Sequence, residues 1–291
     1  MGVFKHVGLI GKPGDERVVT TLKSLIADLQ KLPVNLRFDA DSARALPTFG
    51  LEVAEREALG RTCDLVIVVG GDGTFLSAAR SLVGQDVRVL GINLGRLGFL
   101  ADIMPDEMSE RVQEIFSGHF AEEERSLLRA SILRDGAQVV DVSALNDVVA
   151  HKWNIARLIE FETFVNSRLV NRQRSDGVIV STPTGSTAYA LSGGGPILYP
   201  TLDAIAIVPI CPHTLTSRPI VVDGASRIEL VMHASRQGEA QLTCDGQSTL
   251  ELEPGDRIRI QQHERRLRLI HPPEHDYFAT LRAKLHWGKE L

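Results

Sequence analysis

Three glycines, Gly70, Gly71 and Gly73, surround a single carboxylate, Asp72, and Thr74 closes the stretch. Glycines admit positive φ and let backbone N–H groups approach an anion, and a helix starting at once would add its dipole. The carboxylate is at odds with that setting, because it repels phosphate. It needs a divalent cation to bridge the charges or a hydroxyl to act upon, and phosphoryl transfer supplies both, with Asp accepting the proton of the attacking hydroxyl. A plainer reading stands beside this one: Asp72 or Thr74 caps a helix after a tight turn. The pattern is neither a Walker A loop, which requires a following Lys, nor a G-x-G-x-x-G fingerprint.

Two further groups of residues could meet the same kind of ligand. Asn146 and Asp147 set an amide beside a carboxylate at a strand edge, a pair that can address a diol or form an Asx turn. Arg174 and Asp176 precede an apolar strand at 178–180, which Pro183 stops. Thr184, Gly185, Ser186 and Thr187 then form a hydroxyl-rich loop, followed by a short helix through Ala188, Tyr189, Ala190, Leu191 and Ser192 and by three more glycines. Hydroxyls and helix amides suit a phosphate or ribose, and Tyr189 offers a face for a base. No Ser-His-Asp order, HExxH or EF-hand pattern occurs, so hydrolase and metalloprotease readings have no footing, and no metal-ligating residues are assigned.

The elements that must hold these residues divide into two textures. Up to about residue 120, short apolar runs (6–11, 34–39, 65–69, 87–93) alternate with helical periodicity (16–32, 51–60, 74–83, and a helix near 107–117 capped by Asp106 and closed by Gly118). Such alternation predicts βαβ units and a parallel sheet of Rossmann or flavodoxin type. Residues 121–273 read as nearly all β and sandwich-like, with Asp135-Gly136 a hairpin turn and another turn near Asn166-Ser167. The segment 257–271 alternates apolar and basic residues, as the wet side of an edge strand would. A final helix over 274–291, apolar at Tyr277, Phe278, Leu281 and Leu285, is expected to pack back on the N-terminal domain.

Composition narrows the classes. The chain has 291 residues, 43% hydrophobic and 24% charged, with a net charge of −5. That size favours two domains, and the acidic balance argues against a general nucleic-acid binder. Any anionic ligand must therefore be met by local groups. Three scattered cysteines, Cys63, Cys211 and Cys244, fit a reducing compartment. The opening apolar run is too short for a signal peptide, His6 stands where myristoylation wants Ser or Thr, and no window approaches a membrane span. The expectation is a cytoplasmic protein without membrane contact.

The blocks GGDGT (70–74), LNDVV (145–149), DGVIVSTPTGSTAYALSGGGP (176–196) and DGQ (245–247), in that order and spacing, resemble the bacterial NAD kinases. GGDGT by itself is shared with diacylglycerol and sphingosine kinases, and 6-phosphofructokinases have a similar loop; the long Thr-Pro-Thr-Gly-Ser-Thr block carries the resemblance. It implies an enzyme that transfers the γ-phosphoryl group of ATP to the 2′-hydroxyl of the adenosine ribose of NAD, giving NADP and ADP. It also implies a divalent cation such as Mg²⁺, NAD and ATP as partners, a dinucleotide between the two domains, and a homo-oligomer, dimer or tetramer. Residue by residue, Asp72 matches the catalytic proton acceptor, with Gly73 beside it. Asn146 and Asp147 match the diol-recognition pair. Arg157, Arg174, Asp176, Thr187, Ala188, Tyr189, Ala190, Leu191, Ser192 and Gln247 fall at ligand positions. A lipid kinase or a silent dinucleotide sensor are the rivals; the first should show a wide apolar pocket, the second should lack the acid at position 72.

Overall fold

The apolar run Leu65–Val69 is buried along its whole length because both faces of the sheet it belongs to are covered. In the computed structural model, which describes residues 3–95, 98–153, 157–233 and 240–287, the chain forms two units: Met1–Glu124 with Leu267–Leu291, and Arg125–Arg266.

In the first unit, seven strands run in the order Glu52–Ala54, Asn35–Asp39, His6–Gly11, Leu65–Val69, Arg88–Ile92, Leu267–His271 and Ala121–Arg125. Pairing is parallel from Glu52–Ala54 across to Leu267–His271. From His6–Gly11 the chain first builds outward on one side and then returns to build on the other. The seam between His6–Gly11 and Leu65–Val69 is thus a switch point, where open α/β sheets bind ligands beyond the strand C-termini. The helices Glu16–Leu29 and Met108–Phe116 bury Leu22, Leu25, Val112 and Ile115 against Leu9, Ile67 and Leu90 on one face.

The second unit consists of two six-stranded antiparallel sheets. Their facing side chains, among them Val178, Val180, Leu242, Phe161, Leu230 and Ile258, form one core. The strand Gly177–Ser181 is buried on both sides, since Ile179 points the other way into a smaller cluster with Ala190 and Leu198. Both expected hairpin turns are present, with positive φ at Asp135, Gly136, Asn166 and Ser167.

Several expectations need correction. Residues 51–60 are not one helix: Glu52–Ala54 pairs with the open edge of Asn35–Asp39, and the helix is Arg56–Thr62. Asp106 does not cap its helix; Glu107 holds that position, and its carboxylate accepts from the Met104 N–H at 3.1 Å. The alternating segment 257–271 is no edge. Arg257–Gln262 is an interior strand between Ile228–Met232 and Leu128–Arg134, with Arg257 and Arg259 both paired to Glu229. Leu267–His271 leaves that unit to join the parallel sheet. The second unit therefore spans 125–266 where 121–273 was expected, because hydrogen bonding to Arg88–Ile92 outranks the local texture of Leu267–His271. In the final helix, Tyr277–Leu285, Tyr277 and Leu281 are buried, whereas Phe278 is 54% exposed.

A polar cluster secures this last strand. Asp102 Oδ2 lies 2.9 Å from His271 Nδ1 and 2.8 Å from His275 Nδ1, and His271 Nε2 is 2.9 Å from Glu123 Oε1. The two imidazoles stack with centroids 3.9 Å apart. Burial works against the charge on Asp102, but the two histidines outweigh it and hold the carboxyl well below the usual range. Burial likewise opposes a charged His271, and Asp102 and Glu123 overcome it, so its pKa is raised. A raised histidine pKa means that the fold favours the protonated ring. Its stabilisation is complete below the unfolded pKa, about 6.5, and is lost as pH rises through the higher folded value. Melting temperature is therefore expected to drop on going from neutral to alkaline pH, and His271→Gln should flatten that slope; calorimetric scans of both proteins across this range check it.

Candidate functional site

The helix Asp72–Leu82 begins on the aspartate itself, at the C-terminal end of Leu65–Val69 and beside the switch point. Gly71 occupies the N-cap position with extended backbone (φ −94°, ψ −177°) and makes no side-chain cap bond. The close approach in this loop is at Gly70, where a Cβ would strike the Thr74 side chain, while Gly71 faces open space. The Asp72 carboxylate turns away from its own helix. Oδ2 accepts from the Phe99 N–H and Oδ1 from the Leu100 N–H, each at 3.2 Å. Gly98 makes the approach feasible, because a Cβ there would collide with Asp72 Oδ1. One amide per oxygen fixes the plane of the carboxylate and leaves each oxygen further lone pairs. The helix-cap reading of Asp72 is thus not the arrangement found.

In the second unit a cleft of about 310 Å³ is lined by Asn146, Asp147, Val149, His151, Ala188, Tyr189, Thr243, Asp245 and Gly246. Its floor depends on a hairpin turn. Asp245 and Gly246, both at positive φ, join Ala240–Cys244 to Ser248–Leu252. From that turn the Asp245 carboxylate accepts from the N–H groups of Leu145 (3.0 Å), Asn146 (2.7 Å) and Asp147 (3.2 Å). Asn146 is held from the other side by Gly185, whose missing Cβ would strike the Asn146 carbonyl oxygen. Asp147 is buried; burial first, and the charge of Asp245 second, push its carboxyl up to about 7.

The hydroxyl-rich loop is used differently from the sequence expectation. Thr182 Oγ1 donates to the Leu145 carbonyl (2.6 Å), and Ser186 Oγ donates to the Pro183 carbonyl (2.6 Å) while accepting from the Leu198 N–H (2.9 Å). These buried hydroxyls shape the loop. Of the following helix, Ala188 and Tyr189 reach the cleft, Ala190 sits in the core, and Thr187, Leu191 and Ser192 do not line it. Arg174 is exposed on the strand Arg168–Ser175, and Asp176 is engaged by Lys152 Nζ at 2.6 Å. Arg157 and Gln247 are exposed and outside the cleft lining. A larger depression of about 690 Å³ includes none of the expected residues; its arginines 257 and 259 are already paired with Glu229.

Sequence reasoning missed Asp245, His151 and the backbone of Phe99 and Leu100. Asp245 had a signal, the same Asp-Gly hairpin signature as Asp135-Gly136; the amides at 99 and 100 had none, since any residue type supplies an N–H.

The acid pair predicts its own titration. The Asp147 carboxyl carbon, followed by NMR, should titrate with a midpoint near 7, and Asp245→Asn should lower that midpoint by removing the neighbouring charge. A midpoint near the ordinary Asp value of about 3.9 contradicts the arrangement.

Comparison with known proteins comes from three directions. Residues 7–120 match the family model of the ATP-NAD kinase N-terminal domain, and residues 145–272 match that of the ATP-NAD kinase C-terminal domain. The chain is 50% identical over 291 residues to a NAD kinase of Chromohalobacter salexigens, covering 100% of this chain and 99% of the relative. It is 49% identical over 288 residues to a NAD kinase of Teredinibacter turnerae, covering 99% and 98%. Among solved structures, yeast NADH kinase complexed with NADH superposes with a TM-score of 0.89 at 26% identity, covering 99% of this chain and 89% of that one. An Archaeoglobus fulgidus NAD kinase in complex with ATP gives 0.74 at 25% identity, covering 96% and 99%. With both family models matched in order and half of all residues identical to a full-length relative, this chain belongs to the ATP-NAD kinase family.

Proposed function

We propose that Asp72 takes the proton of the ribose 2′-hydroxyl in the ATP-dependent phosphorylation of NAD to NADP, the reaction that goes with membership of this family. The observation that carries the assignment is the anchoring of both carboxylate oxygens by the Phe99 and Leu100 amides, which orients the acid without using it as a helix cap. A carboxylate so held is oriented in advance and needs no reorganisation as the hydroxyl attacks.

Recognition falls to the second unit. Asp147 and Asn146 line the cleft with Tyr189 exposed at its edge, a set suited to ribose hydroxyls and a stacked base. The remaining expected positions, Arg157, Arg174, Asp176, Thr187, Leu191, Ser192 and Gln247, stay assigned to the ligand as part of this proposal; buried Ala190 serves by packing. Asp72 has lone pairs left for a Mg²⁺ that arrives with the phosphates of ATP, the usual mode for this ion. Among the described residues, the one cluster with metal-ligand spacing, Asp102, His271 and His275, is mixed imidazole and carboxylate with its donors bonded to one another, which does not suit Mg²⁺. When bound, Mg²⁺ would neutralise charge on the transferring phosphate. The three free cysteines fit a cytoplasmic enzyme, and sedimentation would distinguish a dimer from a tetramer.

The direct assay is purified protein with ATP, Mg²⁺ and either NAD or NADH, followed by detection of the 2′-phosphorylated product. A lipid kinase is disfavoured by the full-length matches, and a silent sensor would yield no product. Asp72→Asn should lower kcat by about 10²–10⁴-fold, as expected for loss of a general base, with NAD still bound. If raised Mg²⁺ restores the variant, holding the metal is the only role of Asp72 and the proton-acceptor reading is wrong. Asp147→Ala should raise the KM for NAD by about tenfold or more, since a hydrogen bond to a charged group contributes roughly 1.5–3 kcal/mol. In the unmodified enzyme, NAD affinity is expected to weaken as pH falls through about 7, where Asp147 takes up its proton, and Asp147→Asn should abolish that dependence.

A further inference from the structure

The amides that hold Asp72 belong to a short segment whose own position needs explaining. Gly98 N–H bonds back to the Ala101 carbonyl at 3.3 Å, closing residues 98–101 into a tight turn. Directly after it comes Asp102, whose Oδ2 is shared by His271 and His275 at 2.9 and 2.8 Å. The ring of Phe99 lies 6.5 Å from that of Tyr277, and Lys284 Nζ stands 5.4 Å from the Phe99 ring centroid. The segment carrying the two amides is therefore gripped at two residues, Phe99 and Asp102, by side chains from the stretch 271–284. None of these gripping side chains reaches the Asp72 carboxylate itself among the bonds the structure shows.

We infer that Asp102, His271 and His275 are positioning residues for Asp72: their hydrogen bonds fix the turn at 98–101, and the turn's amides fix the catalytic carboxylate. This rests on the reading of Asp72 as the proton acceptor. The physical ground is that two amides at 3.2 Å define a carboxylate's plane only while their own backbone is immobile, and a supporting shell that loosens by about 1 Å is enough to lose most of the benefit of a placed group. A mostly covered carboxylate bridging two stacked imidazoles is a stiff support, because each bond would be lost if the segment moved. Other contributions of the cluster, to sheet closure for example, act on the whole unit and have no special connection to Asp72.

A double-mutant cycle separates these. In the full-length enzyme, Asp102→Asn should lower kcat by about 10- to 100-fold while leaving the KM values for NAD and ATP within about twofold, the signature of a misplaced reacting group. In an Asp72→Asn background the same Asp102→Asn change should cost less than about twofold in the residual turnover, because the group being positioned is gone. An equal loss in both backgrounds, or a loss expressed in KM, overturns the inference and leaves the cluster as scaffold while Asp72 keeps its role. Near-wild-type turnover of Asp72→Asn alone overturns the Asp72 reading and this inference together. Should Asp102→Asn fail to fold, His275→Gln, which removes one of the two bonds at a partly exposed residue, is carried through the same cycle with the same expected pattern.

Discussion

The Asp72 carboxylate accepts two backbone N–H groups from residues 27 and 28 positions further along the chain, and much of the first unit's architecture is needed to make that meeting occur. Leu65–Val69 must end where Asp72 can start a helix, and Arg88–Ile92 must lie next to it so that the segment leaving that strand returns over the helix N-terminus. Neighbouring parallel strands do this without extra machinery, since their C-terminal loops emerge on the same edge of the sheet. Gly98 then removes the one Cβ that would keep the carboxylate away. Around the acid, Gly70 lets the backbone lie against Thr74 and Lys12, and amides from elsewhere hold the carboxylate.

The second unit handles its acids by contrast. Asp245 and Asp147 stand close together, yet one receives three amide bonds while burial and its neighbour's charge raise the other to about 7. Two carboxyl groups in one cleft cannot both ionise cheaply in low dielectric. Of the two, Asp147 is the group whose carboxyl is pushed up to about 7, by burial first and by its neighbour's charge second. A hairpin turn is what delivers this: Asp245 occupies a turn whose positive φ aims its side chain back at the start of the neighbouring strand.

Small residues in the 176–196 block serve the same end by packing. Gly185 seats the loop on Asn146, while Thr182 and Ser186 satisfy carbonyls and an amide that burial would otherwise leave unpaired. What reads in the sequence as a row of ligand hydroxyls is in large part the internal bracing that presents Ala188 and Tyr189 to the cleft.

Continuous apolar runs such as 65–69, helical periodicity over 16–29 and Asp-Gly turns are local signals. Read from the sequence alone, they identify the parallel α/β unit and the antiparallel unit, and residue type and spacing single out Asp72, Asn146, Asp147 and Tyr189. What sequence could not supply were the partners of long-range hydrogen bonds. Leu267–His271 has the same alternation as the strand before it, and it changes sheets only because Arg88–Ile92 offers an open parallel edge. Glu52–Ala54 has helical composition and becomes a strand for a similar reason. Likewise, the amides of Phe99 and Leu100 and the imidazoles of His271 and His275 acquire their roles from where the backbone brings them. Side-chain type and spacing determined which chemistry this chain could carry; which acid is restrained and which is free to exchange a proton was decided by the tertiary structure, because a carboxylate's state depends on the amides, charges and solvent that folding places around it.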